Sequence, residues 1–234
     1  MLILKYLQLP FYFEVSQLQK DVNRLAHNPW HLHYQKLHYE GEWSAIPLRS
    51  TGGQADNVII APTNTVPYQD TIFLETSPYL KKVLETFKCP LQAVRLLKLN
   101  AGAVIKEHRD ADLYFEKGEI RIHIPVVTND DVEFYVDKER VYLREGECWY
   151  VNFNLLHSII NKSKTDRIHL VVDATVNDWV KELFAQPAAC KKEIETPGYD
   201  EDTKRQIIAR LREMNTETSN RLANEMEATT EEQE

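Results

Sequence analysis

Hydrophobic and polar positions divide this chain into parts with different periodicities. The apolar opening MLILKYLQLPFYF predicts a β-strand, because it is too short to span a membrane and has no small-residue cleavage site. Apolar residues at helical spacing over Val15 to Ala26 predict an amphipathic helix, which must end before Pro29. A second helix is predicted from Tyr79 to Phe87, and residues 49–78 before it, with RSTGG and three prolines, are predicted to form a long loop.

From Leu91 to Thr175 the pattern changes to short β-rich runs. These runs are RLLKL, IRIHIPVV, VEFYV, RVYL, CWYVNF and RIHLVVD. Turn signals separate them about every ten residues, which indicates an antiparallel sandwich or barrel. The predicted fold class is therefore mainly β with flanking helices.

The C-terminal part of the chain has a third pattern. An apolar stripe at helical spacing comprises Ile207, Leu211 and Met214. Glu225 to Glu234, in contrast, is almost entirely polar and acidic, and residues 201–234 hold nine acidic and five basic side chains. We therefore predict a β-rich domain over residues 1–190, followed over 191–234 by a helical segment that runs into a disordered acidic tail.

Composition narrows the classes of function. Of the 234 residues, 43% are hydrophobic and 27% are charged, which excludes a wholly disordered chain. The net charge of −8 disfavours a nucleic acid partner, because a surface of that sign repels phosphate backbones. Cys89, Cys148 and Cys190 are too scattered for a disulfide framework or a zinc cluster, and they suit a reducing compartment. We expect a cytoplasmic protein that does not bind membranes.

Two histidines and an aspartate have the spacing of a non-haem iron site. His108 and Asp110 are two residues apart, which would place both side chains on one face of an extended strand. His157 follows 49 residues after His108 and can close a facial triad from a distant strand. Two histidines and one carboxylate leave three adjacent metal positions open, as in non-haem iron(II) oxygenases.

Two arginines and a further histidine complete the candidate site. Arg167 lies ten residues beyond His157 at the start of a predicted strand, where it can clamp a carboxylate such as that of 2-oxoglutarate. Alternation places Arg121 and His123 on one face of their strand and apolar residues on the other. If the apolar face packs against helices, both residues enter the barrel, where a metal-bound keto acid would supply the anion that a buried arginine needs.

The stretches HRDADLYFEKGEIRIHIPVVTN and LREGECWYVNFNLLHSIINKSKTDRIHLVVD resemble the aspartyl/asparaginyl β-hydroxylase family of iron(II)/2-oxoglutarate oxygenases. That family includes bacterial enzymes that act on free amino acids, such as proline cis-4-hydroxylases. The resemblance covers roughly residues 43–176 and implies a double-stranded β-helix, a cupin-like jelly roll, with iron at its mouth. It also implies Fe(II), with 2-oxoglutarate and O₂ as cosubstrates and ascorbate as a stimulant.

The resemblance assigns roles residue by residue. His108 and His157 match the iron ligands of the family. Arg167 matches the arginine that binds the distal carboxylate of 2-oxoglutarate, and Arg121 with His123 matches the R-x-H pair near the keto-acid end. The implied reaction is the hydroxylation of an unactivated C–H bond, with 2-oxoglutarate converted to succinate and CO₂.

Two positions separate this chain from the animal members of the family. Those peptide hydroxylases lack a carboxylate at the position of Asp110, whereas the free-amino-acid enzymes have H-x-D as here. A serine that assists the distal carboxylate in the animal enzymes is replaced near Leu97. We expect an amino acid substrate, free or within a small peptide. Arg49, in the predicted loop with Ser50 and the Gly52-Gly53 pair, is a candidate contact to a substrate carboxylate.

Several alternatives stay open at the level of sequence. The chain could be a non-catalytic jelly-roll binding module, or a cupin-type metal dioxygenase that needs no keto acid and hence no clamp at Arg167. His31, His33 and His38 suggest either a metal site or simple alternation on a half-buried strand. His169 shares the face of Arg167, and we expect it to be a core or supporting residue. A homodimer is a further alternative.

Overall fold

The computed structural model describes residues 2–60, 66–195 and 201–231. The strands are β1 (Leu2–Tyr12), β2 (His31–Leu32), β3 (Tyr39–Glu40), β4 (Trp43–Thr51), β5 (Tyr68–Asp70), β6 (Leu91–Leu99), β7 (Val104–His108), β8 (Glu119–Val127), β9 (Val132–Val136), β10 (Glu139–Arg140), β11 (Glu147–Val151), β12 (His157–Asn161), β13 (Arg167–Thr175) and β14 (Lys191–Glu195). The helices are α1 (Val15–Leu25), α2 (Ile72–Glu75), α3 (Pro78–Leu84), α4 (Asp178–Ala185), α5 (Glu201–Met214) and α6 (Glu217–Glu231).

The strands form the two sheets of a jelly roll. In the first sheet the strand order is β14-β1-β11-β8-β13-β6-β4-β2, with β5 paired to β4. In the second sheet the order is β10-β9-β12-β7-β3. The inner faces meet, because the ring of His123 on β8 lies 6.1 Å from the ring of Phe134 on β9. The predicted fold class is confirmed.

Helices cover the outer face of the first sheet. A cluster of buried apolar side chains lies between the sheet and the helices. Its sheet residues include Ile120, Ile122, Ile124 and Val126 on β8 and Leu170, Val172 and Ala174 on β13. The helical residues include Leu18, Val22 and Leu25 of α1, Leu80, Val83 and Leu84 of α3, and Val180, Leu183 and Phe184 of α4. Each large apolar side chain buried here contributes about 1.5–3 kcal/mol. Alternation therefore turns Arg121 and His123 into the barrel, as predicted.

A buried carboxylate joins two of these helices. Asp21 on α1 accepts hydrogen bonds from the backbone N–H groups of Tyr79 and Leu80 at 2.7 and 3.1 Å. These N–H groups belong to the first turn of α3, where no intrahelical partner exists. Asp21 therefore caps α3 from another helix and also complements its dipole.

The long loop predicted over residues 49–78 is wrong in part. β4 continues to Thr51, and β5 pairs back onto it in antiparallel register, with Asp70 opposite Arg49. α2 follows directly after β5. Residues 61–65, in the middle of the predicted loop, lie outside the described ranges.

The last two helices belong to a compact unit separate from the one formed by Leu4–Ile194. Within that unit, Arg212 of α5 donates hydrogen bonds to Asn224 and Glu227 of α6 at 2.6 and 2.8 Å. The tail predicted to be disordered over Glu225 to Glu234 is helical as far as Glu231, and residues 232–234 lie outside the described ranges. The domain boundary at residue 190 stays a prediction. None of the helices in the described ranges is long and apolar enough to cross a membrane.

Candidate metal and cosubstrate site

Two neighbouring strands of the second sheet bring the predicted triad together. β7 ends at His108 and β12 begins at His157, and these two residues are antiparallel partners. Asp110 lies just after β7, and its backbone N–H donates to the carbonyl of Phe153 at 2.9 Å. The ligand atoms of the three side chains all lie within 4.8 Å of one another. In the part of the chain that the structure describes, this is the only such group of potential metal ligands.

Backbone carbonyls fix the tautomers of both histidines. Nδ1 of His108 lies 2.8 Å from the carbonyl oxygen of Lys106, and Nδ1 of His157 lies 3.0 Å from that of Leu155. A carbonyl oxygen only accepts, so Nδ1 carries the proton and Nε2 presents a lone pair. Burial, with the neighbouring His108, lowers the pKa of His157 to about 4 and keeps its ring neutral. Both Nε2 atoms are therefore prepared to bind a metal ion.

Arg121 holds the third member of the triad. Its Nη1 donates to Oδ2 of Asp110 at 2.6 Å, while Oδ1 of Asp110 lies 3.7 Å from Nε2 of His108. Burial by itself would raise the pKa of Asp110, but the ion pair with Arg121 outweighs it, and the pKa is lowered. The carboxylate is thus ionised, with one oxygen bound by Arg121 and the other turned toward His108.

Arg121 belongs to a buried ion-pair network that the local sequence patterns do not predict. Its Nε and Nη2 bind the two oxygens of Asp173 at 2.6 and 3.1 Å, and Arg95 donates to the same carboxylate at 3.1 Å. β13 lies between β8 and β6, so Asp173 stands between the two arginines. The expectation that Arg121 needs a keto acid as its anion is corrected, since Asp173 and Asp110 already supply the negative charge.

Arg167 has no carboxylate partner among the described residues. Its side chain is buried, Nη2 donates to Nδ1 of His169 at 2.8 Å, and Nε has no hydrogen-bond partner. Burial lowers the pKa of its guanidinium to about 9. Arg167 and His169 line a cavity of about 310 Å³, together with residues such as Thr128 and Glu145. A buried cation without an anion is unfavourable, so this position favours an anionic ligand.

Unpaired polar atoms lie between Arg167 and the triad. His123 and His169 are buried, and Nε2 of each ring lacks a partner. The His123 ring stacks on Phe153 with centroids 5.0 Å apart, and Phe153 packs edge-on against His157 at 4.7 Å. This chain of contacts joins Arg167 to the candidate metal ligands. A keto acid with a distal carboxylate fits these residues, because it would give polar partners to atoms that have none.

The other histidines singled out in the sequence do not form a second metal site. His33 stacks on Trp43 with ring centroids 3.6 Å apart, and burial, followed by Arg95 and Arg121, lowers its pKa to about 3. His31 lies on β2, and the His38 ring lies 4.8 Å from that of His108. Simple packing is therefore the better interpretation of His33.

Arg49 connects two strands. Nη1 pairs with Asp70, Nη2 donates to the carbonyl of Tyr68 at 2.9 Å and Nε donates to that of Leu91 at 3.3 Å. Because these groups already occupy the guanidinium, the structure gives no support to the predicted contact between Arg49 and a substrate carboxylate.

The fold and the site together define a class: jelly-roll proteins with a metal triad of two histidines and one carboxylate. The family profile described as aspartyl/asparaginyl beta-hydroxylase matches residues 13–176. This chain belongs to that family, as the resemblance of its motifs implied.

Known relatives and solved structures show how far the likeness extends. L-proline cis-4-hydroxylase of Rhizobium meliloti (strain 1021) is 27% identical over 190 residues, covering 79% of this chain and 63% of that protein. L-proline cis-3-hydroxylase 1 of Streptomyces sp is 28% identical over 182 residues, covering 73% and 60%. The chain thus spans less than two thirds of the length of these relatives. The crystal structure of an oxidoreductase of the 2OG-Fe(II) oxygenase family from Burkholderia pseudomallei superimposes with a TM-score of 0.49 at 14% identity, over 74% of this chain and 88% of that one.

Proposed function

We propose that this chain is an iron(II)- and 2-oxoglutarate-dependent dioxygenase that hydroxylates an amino acid side chain, free or within a small peptide. The observation that carries the proposal is the placement of a two-histidine, one-carboxylate triad beside a buried arginine with no anion of its own. Membership of the family supports it, as does similarity to two proline hydroxylases.

Each residue of the site has a distinct task in this reaction. His108, Asp110 and His157 would hold Fe(II), which together with 2-oxoglutarate and O₂ supplies the oxidising power for hydroxylation. Arg167 binds the distal carboxylate of the cosubstrate. Arg121 keeps Asp110 ionised and oriented, so the triad is formed before the metal arrives.

Aromatic contacts shield the inner side of the triad, at His157, from water. Phe153 is buried between His123 and His157 and presents no polar group to water. A dry pocket protects reactive species from side reactions and strengthens each charge-assisted contact. His123 is separated from the metal ligand His157 only by Phe153. It therefore lies close to the position of the keto-acid end of 2-oxoglutarate.

Arg95 replaces Arg49 as the candidate contact to a substrate carboxylate. Its side chain is buried, and its Nε has no hydrogen-bond partner. Arg95 shares Asp173 with Arg121, which in turn binds Asp110, so the unpaired N–H belongs to the network around the triad. A free amino acid is the substrate class that the names of the two relatives favour.

A cytoplasmic location agrees with the chemistry of the cysteines. Cys89, Cys148 and Cys190 are all free, and burial raises the pKa of each thiol. Uncharged thiols are poor nucleophiles and are stable in a reducing compartment.

Turnover by the iron-loaded protein tests the function. The protein is incubated with 2-oxoglutarate, O₂, ascorbate and pooled amino acids and short peptides, and succinate and the product mass are measured. We expect succinate together with a product that has gained one oxygen atom. A protein that binds iron but releases no succinate with any member of the pool would instead be the non-catalytic binding module, and substrate oxidation without 2-oxoglutarate would indicate a cupin-type dioxygenase.

His157→Ala identifies the metal site in the same assay. Two remaining protein ligands hold iron(II) poorly, so the variant should lose bound iron and succinate production. His31→Ala, which removes a histidine outside the triad, is the matched control and should keep both. Wild-type iron content in His157→Ala would show that the triad is assigned incorrectly.

A further inference from the structure

Glu119 lies on the inner face of the first sheet, next to the ion-pair network. β8 and β13 pair so that Arg121 is opposite Asp173 and Glu119 is opposite Thr175. Residues two apart on a strand share a face, so Glu119 lies about 7 Å along β8 from Arg121 and on the same side. Arg121 contacts Asp110 of the triad. Glu119 therefore lies at the end of the barrel that holds the triad.

The carboxylate of Glu119 has uncharged partners. Nε2 of Gln92 donates to its Oε2 at 2.7 Å, and the hydroxyl of Thr175 donates to its Oε1 at 3.4 Å. Within the described ranges, no cationic side chain pairs with it. Burial raises the pKa of Glu119, and the two hydrogen bonds lower it only in part. Since a carboxylate oxygen has two acceptor sites, each oxygen can accept one more hydrogen bond.

Arg95 offers the opposite charge on the same face of the sheet. Its cross-strand neighbour on β13 is Val171, and Asp173 and Thr175 follow Val171 at intervals of two residues. Nη2 of Arg95 binds Asp173, whereas its buried Nε has no partner. An unpaired N–H of a cation and a carboxylate without a cation thus lie on either side of Asp173.

Glu119 also completes the charge balance of the site. The network around the triad contains two carboxylates, those of Asp110 and Asp173. The site contains three guanidinium groups, those of Arg95, Arg121 and Arg167. With Glu119 the two signs are equal in number, and Fe(II) and the dianion of 2-oxoglutarate would add equal and opposite charges. A neutral site favours a substrate that carries one positive and one negative charge.

We propose that Glu119 is a specificity-determining residue that binds the α-ammonium group of a free amino acid, while Arg95 binds its carboxylate. An α-ammonium group carries a full charge and at least two N–H donors, which suit the two free acceptor sites of Glu119. A peptide nitrogen is uncharged, so the same residue selects a free amino acid against a residue within a peptide. This inference rests on the proposed function and narrows its substrate class.

Pairs of related substrates test this selection. Iron-loaded protein receives 2-oxoglutarate, O₂ and ascorbate, and each common L-amino acid is compared with its N-acetyl derivative. Succinate release above the rate without substrate is measured. We expect wild type to use at least one free amino acid with a kcat/KM about 10-fold or more above that of its N-acetyl derivative, the difference typical of a hydrogen bond between charged groups. Equal use of both would overturn the proposal.

Glu119→Gln removes the charge but keeps the shape and one acceptor oxygen. For the free amino acid, KM should rise about 10-fold or more and kcat should change less, because the contact is the same in the ground state and the transition state. For the N-acetyl derivative, kcat/KM should stay within about twofold of wild type. Equal losses for both compounds would indicate disturbed packing and contradict the proposal.

Two further variants separate binding from support of the sheet. Gln92→Met removes a hydrogen bond to Glu119 but keeps the charge, so the preference for the free amino acid should persist. The same loss as in Glu119→Gln would refute the proposal. Glu147→Gln is the matched control, because Glu147 also accepts from uncharged donors, the backbone N–H of Arg144 at 2.9 Å and Nε1 of Trp149 at 2.8 Å. It should leave KM unchanged.

Calorimetry of manganese-loaded protein measures binding without turnover. With 2-oxoglutarate present, the free amino acid should bind Glu119→Gln about 10-fold more weakly than wild type. Wild-type affinity in this variant would refute the contact. Thermal melts show whether each variant is folded. If Glu119→Gln does not fold, Glu119→Asp keeps the charge on a shorter side chain and should retain the preference with a higher KM, and loss of the preference there would contradict the proposal.

The same measurements separate this inference from the proposed function. If wild type neither binds 2-oxoglutarate nor releases succinate with any amino acid, N-acetyl derivative or short peptide, the proposed function fails and the inference fails with it. If succinate appears only with N-acetyl derivatives or peptides, the proposed function stands and the role of Glu119 is refuted.

Discussion

Two buried arginines on neighbouring strands of one sheet have opposite surroundings. Arg121 on β8 is bound by the carboxylates of Asp173 and Asp110. Arg167 on β13 is bound by the neutral ring of His169 and has an unpaired Nε. Burial alone would lower the pKa of both guanidinium groups. The two carboxylates outweigh burial and raise the pKa of Arg121, whereas the pKa of Arg167 falls to about 9.

The difference separates architecture from ligand binding. Arg121 is neutralised within the chain, so its charge can hold Asp110 in position before any ligand arrives. Arg167 bears the cost of desolvation without a compensating anion, which lowers the stability of the folded protein but leaves an attraction for an anionic ligand. A buried arginine therefore indicates an anionic ligand only if no carboxylate of the protein already pairs with it.

The largest effect should follow from removing the shared carboxylate. Asp173→Asn leaves Arg95 and Arg121 buried, and Asp110, which binds Arg121, is then the one anion still paired with either of them among the described residues. Breaking a buried ion pair in this way costs about 3–5 kcal/mol, less than the total stability of a typical domain. The free energy of unfolding in urea measures the loss. Asp178→Asn, the same change at an exposed position on α4, should cost about 0–1 kcal/mol.

A loss below about 1 kcal/mol for Asp173→Asn would contradict the conclusion that Asp173 neutralises Arg121 and stabilises the fold. It would mean that the network contributes nothing beyond what a neutral amide supplies. There would then be no reason to assign Arg121 a structural role that Arg167 lacks.

The second effect concerns the unpaired arginine, where stability and binding should respond in opposite ways. Arg167→Met removes the charge but keeps much of the side-chain volume, so the ligand-free protein should be as stable as wild type or more stable. The loss of a bidentate charge-assisted contact should cost about 2–4 kcal/mol of binding free energy. The affinity for 2-oxoglutarate should therefore fall by roughly 30-fold or more. Urea unfolding and calorimetry measure the two quantities on the same samples.

Arg49→Met is the matched control for Arg167→Met. Arg49 is ion-paired with Asp70 outside the site, so its loss should leave the affinity for 2-oxoglutarate unchanged. If Arg167→Met keeps wild-type affinity, the distal carboxylate binds elsewhere. Arg121 would then be the first residue to test.

The residues predicted from sequence are those with local spacing signals. His108, Asp110 and His157 were found because a facial triad needs few residues with recognisable intervals, and Arg167 because it opens a strand after His157. Asp110 lies beyond the end of β7 rather than on it, yet its hydrogen bond to Phe153 turns it into the same site. The structure therefore brings the three predicted ligands together, although the predicted reason for their geometry held only in part.

The ion-pair network could not be found in the same way. Arg95 and Asp173 are 78 residues apart, and their contact depends on β6 pairing with β13, a register that local patterns do not contain. One signal was present: Asp173 continues the alternation that begins with Arg167 and His169. Following that alternation along the whole strand would have placed Asp173 inside the barrel and given Arg121 its partner.

Strands with few apolar residues were also missed. β7 and β12 are not among the six β-rich runs, because VIKEH and HSIIN each combine a short apolar core with polar ends. Conversely, RVYL was predicted as a strand, but β10 includes only its first residue, Arg140. The candidate metal ligands lie at or just beyond the ends of these two strands. The polar residues that form the site therefore weaken the apolar pattern by which the strands would be predicted.

The smallest expected effect is a pH dependence of stability caused by His33, which lies beside the ion-paired arginines. His33 lies near Arg95 and Arg121, and after burial these two arginines contribute most to lowering its pKa to about 3. Because this pKa is below the unfolded value of 6.5, protonation favours the unfolded chain. The contribution of His33 to stability is fully present above pH 6.5 and decreases as the pH falls toward 3. Between pH 7 and pH 5 the loss amounts to about 2 kcal/mol.

His33→Phe keeps a ring to stack on Trp43 and removes the titration. Between pH 7 and pH 5 its free energy of unfolding should therefore fall by about 2 kcal/mol less than that of wild type. An unchanged pH dependence in His33→Phe would show that His33 already binds a proton in the folded protein. The lowering of its pKa by burial and by the two arginines would then be wrong.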